Sequence, residues 1–154
     1  MLNLLLLGLT PTRATQLGNR LAQHYQLALA DFVKFPQNAP LTTRTNLQQK
    51  INLTIWLTLI EARLDQEDTN PGFVLLGFPN DLVQAKELQK KLRSLKKPLT
   101  QVIQVNPPTA KQPLDNHLLA YYAKKNLLLT VADHKQDNKL LEALIPSIDQ
   151  KTNG

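Results

Sequence analysis

Cysteine is absent from this chain of 154 residues, and glycine is scarce, with 5 residues in all. Without cysteine, neither a disulfide framework nor a thiolate metal site can form. The histidines His24, His117 and His134 are scattered, and no carboxylates cluster with them at ligand spacing. That pattern argues against a structural zinc site. We therefore expect a single domain that is stabilised by its apolar core alone.

Long apolar segments are also missing from the sequence. No stretch approaches the roughly 20 apolar residues that a membrane-spanning helix needs. The apolar run from Leu4 to Leu7 is too short for the central region of a signal peptide, and no basic segment precedes it. We therefore expect a cytoplasmic protein that has no contact with a membrane.

Positive charge is in excess, with a formal net charge of +6. Part of it lies in the segment QKKLRSLKK, residues 89–97, near the end of a predicted helix. A basic segment can bind nucleic acid, but cations at a helix C-terminus also counter the helix dipole. No aromatic residue interleaves with these cations for base stacking. We expect a solvated helix end, with nucleic-acid binding as an alternative.

Short apolar runs alternate with longer stretches of helical periodicity along the chain. The runs predict strands at 2–7, 27–30, 73–78, 100–105 and 127–132. The periodic stretches predict helices at 15–26, 47–68, 81–95, 114–126 and 137–148. This alternation predicts an α/β fold, a three-layer α/β/α domain with a five-stranded parallel sheet. The expected domain covers residues 1–149, and residues 150–154 form a polar tail.

The segment LNLLLLGLTPTRAT, residues 2–15, has the outline of a strand, a phosphate-binding loop and a helix. Gly8 is its one glycine, Pro11 has no N–H group, and Thr10 and Thr12 resist positive φ. Ligands of parallel sheets bind beyond the carboxyl ends of the strands. One crevice should therefore contain three segments: Gly8 to Thr15, Gly77 to Pro79 and the chain from Asn106 onward. Asp133 follows the last strand there and is expected to form a cap or turn.

Several of these segments resemble the adenylate kinase family. GFVLLGFPNDLVQA (72–85) is similar to the family's GF-L-DGFPRT-QA segment, and INLTIWLTLIEARLDQED (51–68) to the helix before it. LLLLGLTPTRATQLGNRLAQHYQL (4–27) and YYAKK (121–125) resemble the first strand-loop-helix unit and a late helix. The resemblance implies a P-loop kinase-like fold with ATP, AMP and Mg²⁺ as ligands. Its candidate nucleotide and phosphate-binding residues here are Gly8, Arg13, Thr15, Lys34, Gly77 and Gln84, with Thr15 as the one candidate Mg²⁺ ligand.

The chain departs from that family at the positions that handle charge. The phosphate loop keeps Gly8 alone and has Arg13 in place of its lysine. Leu76 replaces the Mg²⁺-holding aspartate, and Asn80 replaces an arginine that grips AMP. No arginine follows Arg93, and a short connector stands where the family inserts its mobile lid.

These departures imply a degenerate, lidless member of the family. We expect a pseudoenzyme without phosphotransferase activity that binds an unknown protein partner or, weakly, a nucleotide. A residual nucleoside monophosphate kinase or nucleotide hydrolase that uses ATP and Mg²⁺ is the alternative.

Overall fold

The computed structural model describes residues 1–33, 46–106, 115–134 and 136–153, without the side chains of 46–51 and 152–153. Its elements, in chain order, are β1 Leu2–Leu7, α1 Pro11–Tyr25, β2 Ala28–Asp31, α2 Asn46–Leu64, a short 3-10 helix Glu67–Thr69, β3 Gly72–Leu76, α3 Leu82–Ser94, β4 Gln101–Asn106, α4 Asn116–Lys124, β5 Leu128–Ala132 and α5 Asp137–Asn153.

The strands form one parallel sheet in the order β2-β3-β1-β4-β5. Each parallel neighbour is reached through a helical crossover, as in other α/β domains. The predicted α/β fold with a five-stranded parallel sheet is confirmed, and the architecture is P-loop kinase-like. Within the described residues, no helix is both long and apolar enough to cross a bilayer.

Both faces of β1 and β3 are buried at the centre of the sheet, which explains why these strands are continuously apolar, whereas β5 at the edge is partly exposed. Along β1, Leu4 and Leu6 point into one core, whereas Leu5 and Leu7 point into the other. Helices α1 and α5 supply the first core, and α2, α3 and α4 supply the second. The sheet is therefore the middle layer of three, as the sequence predicted.

Three helix boundaries differ from the sequence prediction by about four residues or more. Helix α1 begins at Pro11 rather than at Thr15, because Thr10 is its N-cap and proline suits the first helical position. Helix α2 ends at Leu64, before the 3-10 helix. Helix α5 continues to Asn153, since the polar residues near its end still contact the sheet: Lys151 Nζ donates to Leu128 O at 3.3 Å.

The connection from β4 to α4 is short. Only the residues between Asn106 and Asn116 are available for it, and residues 107–114 lie outside the described part of the chain. Such a short connection has no room for an inserted domain. This agrees with a P-loop kinase-like core in which no lid domain is inserted after the fourth strand.

Candidate functional site

The predicted crevice residues follow strands that end at the same edge of the sheet. Strand β1 lies between β3 and β4, so Gly8 and Gly77 both follow strands at the centre of this carboxyl edge. Asp31 ends β2 on one side, and Asp133 follows β5 on the other. The carboxyl edge is therefore the candidate site. The charged groups near it affect which ligands it can bind.

The segment expected to form a phosphate loop is largely helical. Only three residues lie between β1 and α1, namely Gly8, Leu9 and Thr10. The φ angle of Gly8 is 95°. Leu9 is buried in the core. In the first turn of α1, Pro11 has no N–H group, and the N–H of Arg13 donates to Thr10 Oγ1 at 3.5 Å. Neither Pro11 nor Arg13 can therefore donate a free backbone N–H to a phosphate at this helix N-terminus.

Arg13 is bound by two carboxylates. Its Nη1 and Nη2 atoms donate to both oxygens of Asp133 at 2.9 and 2.8 Å, a bidentate arrangement. Its Nε and Nη2 atoms also donate to Asp137 Oδ1, each at 3.3 Å. The Asp133 side chain is only 8% exposed, and hydrogen bonding to it raises the pKa of Arg13. Together, the guanidinium and the two carboxylates carry a formal charge of −1. This negative charge opposes the binding of phosphate.

Thr15, the candidate Mg²⁺ ligand, is engaged by β2. Its hydroxyl donates to Asp31 Oδ2 at 2.9 Å, while Asp31 Oδ1 accepts from the backbone N–H of Val33 at 3.0 Å. These bonds join the first turns of α1 to the end of β2.

The donors at this edge do not fit Mg²⁺, which needs several oxygen ligands in octahedral geometry. Leu76, where the resemblance expects an aspartate, is fully buried. The Asp31 and Asp133 carboxylates are already bound to Thr15 and Arg13. Within the described residues, no group of three or more His, Cys, Asp or Glu could hold a metal ion.

Gly77 lies where β3 approaches the segment after β2. Its φ is +89°, and a Cβ atom there would lie 2.6 Å from Phe32 C and from Val33 N. The peptide bond between Phe78 and Pro79 is cis, and the Phe78 ring stacks on Trp56 of α2 at 5.5 Å between ring centroids. Close packing of backbone atoms is therefore sufficient to explain the glycine.

Gln84, the candidate for binding an adenine base, takes part in capping α3. The Asp81 side chain accepts from the Gln84 N–H at 2.8 Å, as predicted for an N-cap. In return, Gln84 Oε1 accepts from the backbone N–H of Asn80 at 2.7 Å. This reciprocal arrangement is similar to a capping box.

Replacing Gln84 with alanine should lower the free energy of unfolding by about 1 kcal/mol, because the Asn80 N–H loses its acceptor. Gln84→Glu keeps the acceptor and adds negative charge at the helix N-terminus, so its stability should equal or exceed that of the wild type. Chemical denaturation checks both variants, with Lys86→Ala, on the exposed side of α3, as the control. Equal stability of Gln84→Ala and Lys86→Ala would contradict the capping role.

Lys34, the remaining candidate, lies outside the described residues. The basic segment 89–97 is partly neutralised: Lys90 pairs with Glu87 at 3.1 Å and Lys91 with Glu61 at 3.0 Å. Lys97 donates to Leu64 O and to Thr69 Oγ1. These internal partners weaken the case for nucleic-acid binding through this segment.

Sequence reasoning missed the carboxylates that bind Arg13. Asp133 was expected to cap or turn the chain, with contact to a base or ribose as the alternative, and Asp137 was not singled out. The available signal was the position of Asp133 directly after a predicted strand, at the edge where Arg13 was also expected. Pairing between them depends on the packing of α1 against α5, which the sequence pattern does not specify.

No protein-family model matches the chain, but individual curated proteins do. The chain is 34% identical to an adenylate kinase of Lactobacillus helveticus and 33% identical to one of Lactobacillus acidophilus. Each alignment runs over 135 residues and covers 82% of this chain and 61% of the relative. An adenylate kinase of Cyanothece is 38% identical over 52 residues, which cover 34% of this chain and 27% of the relative.

The chain thus spans about 61% of the length of the lactobacillus relatives. The similarity agrees with the five-stranded parallel sheet and its P-loop kinase-like strand order. By sequence and by fold, the chain belongs to an adenylate-kinase-like family.

Proposed function

We propose that this chain is a degenerate, lidless relative of adenylate kinases that has lost phosphotransferase activity. In this proposal it serves as a binding or regulatory module, and its ligand is a protein partner or a weakly held nucleotide. The observation that carries the proposal is the pairing of Arg13 with Asp133 and Asp137. The cation in the position of the phosphate-loop lysine is thereby committed to the protein's own carboxylates.

The chemistry of phosphoryl transfer supports this proposal. Its catalysis depends on positioning and on cations that stabilise the transferring phosphoryl group, and one arginine can be worth ~10³ to 10⁵ in rate. At this edge the Arg13 charge is outweighed by two carboxylates, and Leu76 offers no oxygen to a metal ion. The sequence places no arginine after Arg93.

Two exposed apolar side chains favour a protein as the partner, and one of them lies near the carboxyl edge. Ile55 of α2 and Val83 of α3 are 53% and 64% exposed, although both are large and apolar. Helices α2 and α3 pack against each other, and Val83 lies in the first turn of α3. Apolar surface of this kind is common at protein contacts.

A coupled assay with ATP, Mg²⁺ and each nucleoside monophosphate tests the loss of activity. We expect turnover to be at least ~10³-fold below that of the Lactobacillus helveticus adenylate kinase in the same assay, because the charge-stabilising groups are missing. Calorimetric titration with ATP, ADP and AMP, with and without Mg²⁺, should show no binding tighter than ~10 μM, about 7 kcal/mol.

Turnover that Arg13→Ala abolishes would overturn the proposal in favour of a residual nucleoside monophosphate kinase. Phosphate release from ATP without an acceptor, also lost in Arg13→Ala, would favour a nucleotide hydrolase. Arg20→Ala is the matched control, because Arg20 lies on the same helix but bonds to the neutral side chain of Asn138.

A further inference from the structure

A cavity of about 100 Å³ opens between α3 and α4, at the amino edge of the sheet. Leu99 precedes β4 and Leu127 precedes β5, so the cavity lies at the end of the sheet opposite to Arg13. Leu92 and Tyr122 contribute buried walls from α3 and α4. The interior is therefore apolar, and it is separate from the candidate nucleotide site.

Two cations at this cavity have no acidic partner. Arg93 and Lys125 both line it and are both exposed, and neither forms an ion pair with any described residue. Lys125 Nζ lies 4.9 Å from the centroid of the Tyr121 ring, a cation–π contact that restrains its position. By contrast, the neighbouring Lys90 and Lys91 are paired with glutamates. The rim of the cavity thus carries two cations at helix C-termini that have no ion-pair partner among the described residues.

The wall of the cavity contains an unsatisfied hydroxyl group. Tyr122 is only 2% exposed, and its hydroxyl has no hydrogen-bond partner among the described residues. A buried polar group without a partner is costly, and such groups in native proteins call for an explanation. Burial also raises the pKa of Tyr122, so the hydroxyl stays protonated and able to donate a hydrogen bond.

We propose that this cavity binds a small organic carboxylate. The apolar body of the ligand fills the space between Leu92, Leu99 and Leu127, and its carboxylate pairs with Arg93 and Lys125 at the rim. An engineered apolar cavity of about 150 Å³ holds benzene, and this cavity is smaller, so it admits at most one ring or a short branched chain.

The site does not depend on the proposed loss of phosphotransferase activity. None of its lining residues contacts Arg13, and the two sites lie at opposite edges of the sheet. A kinase assay therefore cannot decide whether this cavity binds a ligand.

Benzoate is the probe, and its neutral isostere benzamide is the comparison. Titration followed by amide and methyl chemical shifts should give saturable changes at Leu92, Leu99 and Leu127, with benzamide weaker by about tenfold or more. The double variant Arg93→Gln, Lys125→Gln should lose benzoate affinity by about tenfold. Its matched control, Lys90→Gln with Lys124→Gln, removes equal charge from the same two helices outside the cavity and should leave affinity unchanged.

Tyr122→Phe is a control in the cavity wall. The melting temperature of the free protein should rise by about 2–4 °C, since the unsatisfied hydroxyl is gone, while benzoate affinity should change by less than about twofold, because this hydroxyl is not exposed to the cavity. Benzoate and benzamide of equal affinity, or equal losses in the two double variants, would each overturn the proposal.

Discussion

Replacing Gly77 with alanine is expected to lower the free energy of unfolding by about 3–5 kcal/mol. At φ of +89°, a Cβ atom is strained, and at this position it would also lie 2.6 Å from Phe32 C and Val33 N. These are backbone atoms, which cannot rotate aside as the end of a flexible side chain can. The segment after β2 would have to move away from β3, and Phe32, which is buried in the core, would move with it.

Gly18→Ala is the matched control for this experiment. The nearest atom to a Cβ at Gly18 is Leu76 Cδ1 at 2.9 Å, the end of a flexible side chain. Alanine also favours a helix over glycine by about 1 kcal/mol, which offsets the crowding. Chemical denaturation followed by circular dichroism compares the two variants with the wild type. If Gly77→Ala is as stable as Gly18→Ala, close packing does not explain Gly77, and a role in binding a ligand becomes the better account.

Arg13→Ala is expected to lower the free energy of unfolding by about 2–4 kcal/mol, because Asp133 loses a bidentate partner while it stays largely buried. An arginine reserved for phosphate would give a different result, since its removal in the absence of ligand costs little. Arg13→Lys should recover only part of the loss, because an ammonium group cannot bond both Asp133 oxygens in a planar fork. Arg20→Ala, on the same helix and bound to Asn138, should change stability by less than about 0.5 kcal/mol.

A double-mutant cycle between Arg13 and Asp133 isolates the interaction, and its coupling energy should exceed about 1 kcal/mol. Hydrogen bonding to Asp133 raises the pKa of Arg13 above its ordinary value. The stabilisation from this raised pKa is complete below the ordinary pKa of an arginine and is lost only as the pH rises through the raised pKa. The arginine itself therefore adds no pH dependence near neutrality. A coupling energy near zero would contradict the pairing of these two side chains.

The double variant Asp133→Asn, Asp137→Asn extends this prediction to function. It releases the Arg13 guanidinium and changes the formal charge around it from −1 to +1. Pyrophosphate should then bind at least about tenfold more tightly than to the wild type, as measured by calorimetry. Unchanged affinity would mean that the carboxylates do not block this site.

Much of the fold could be predicted from local sequence patterns. Continuous apolar runs indicated five buried parallel strands, and the boundary of α3 followed from Asp81 as its N-cap. Capping also explains the error at α1. Thr10 and Pro11 form a good helix start, but the expectation of a phosphate loop placed the start at Thr15.

The sequence by itself determined the order and type of the elements, because periodicity and capping act over a few residues. It also places Leu76 and Asn80 where the resemblance to adenylate kinases expects charged residues. Only the tertiary structure decided what the remaining polar residues do. Arg13 meets Asp133 and Asp137 across 120 and 124 residues of chain. Such contacts form because α1 packs on α5 at one sheet edge, and no local pattern encodes that packing.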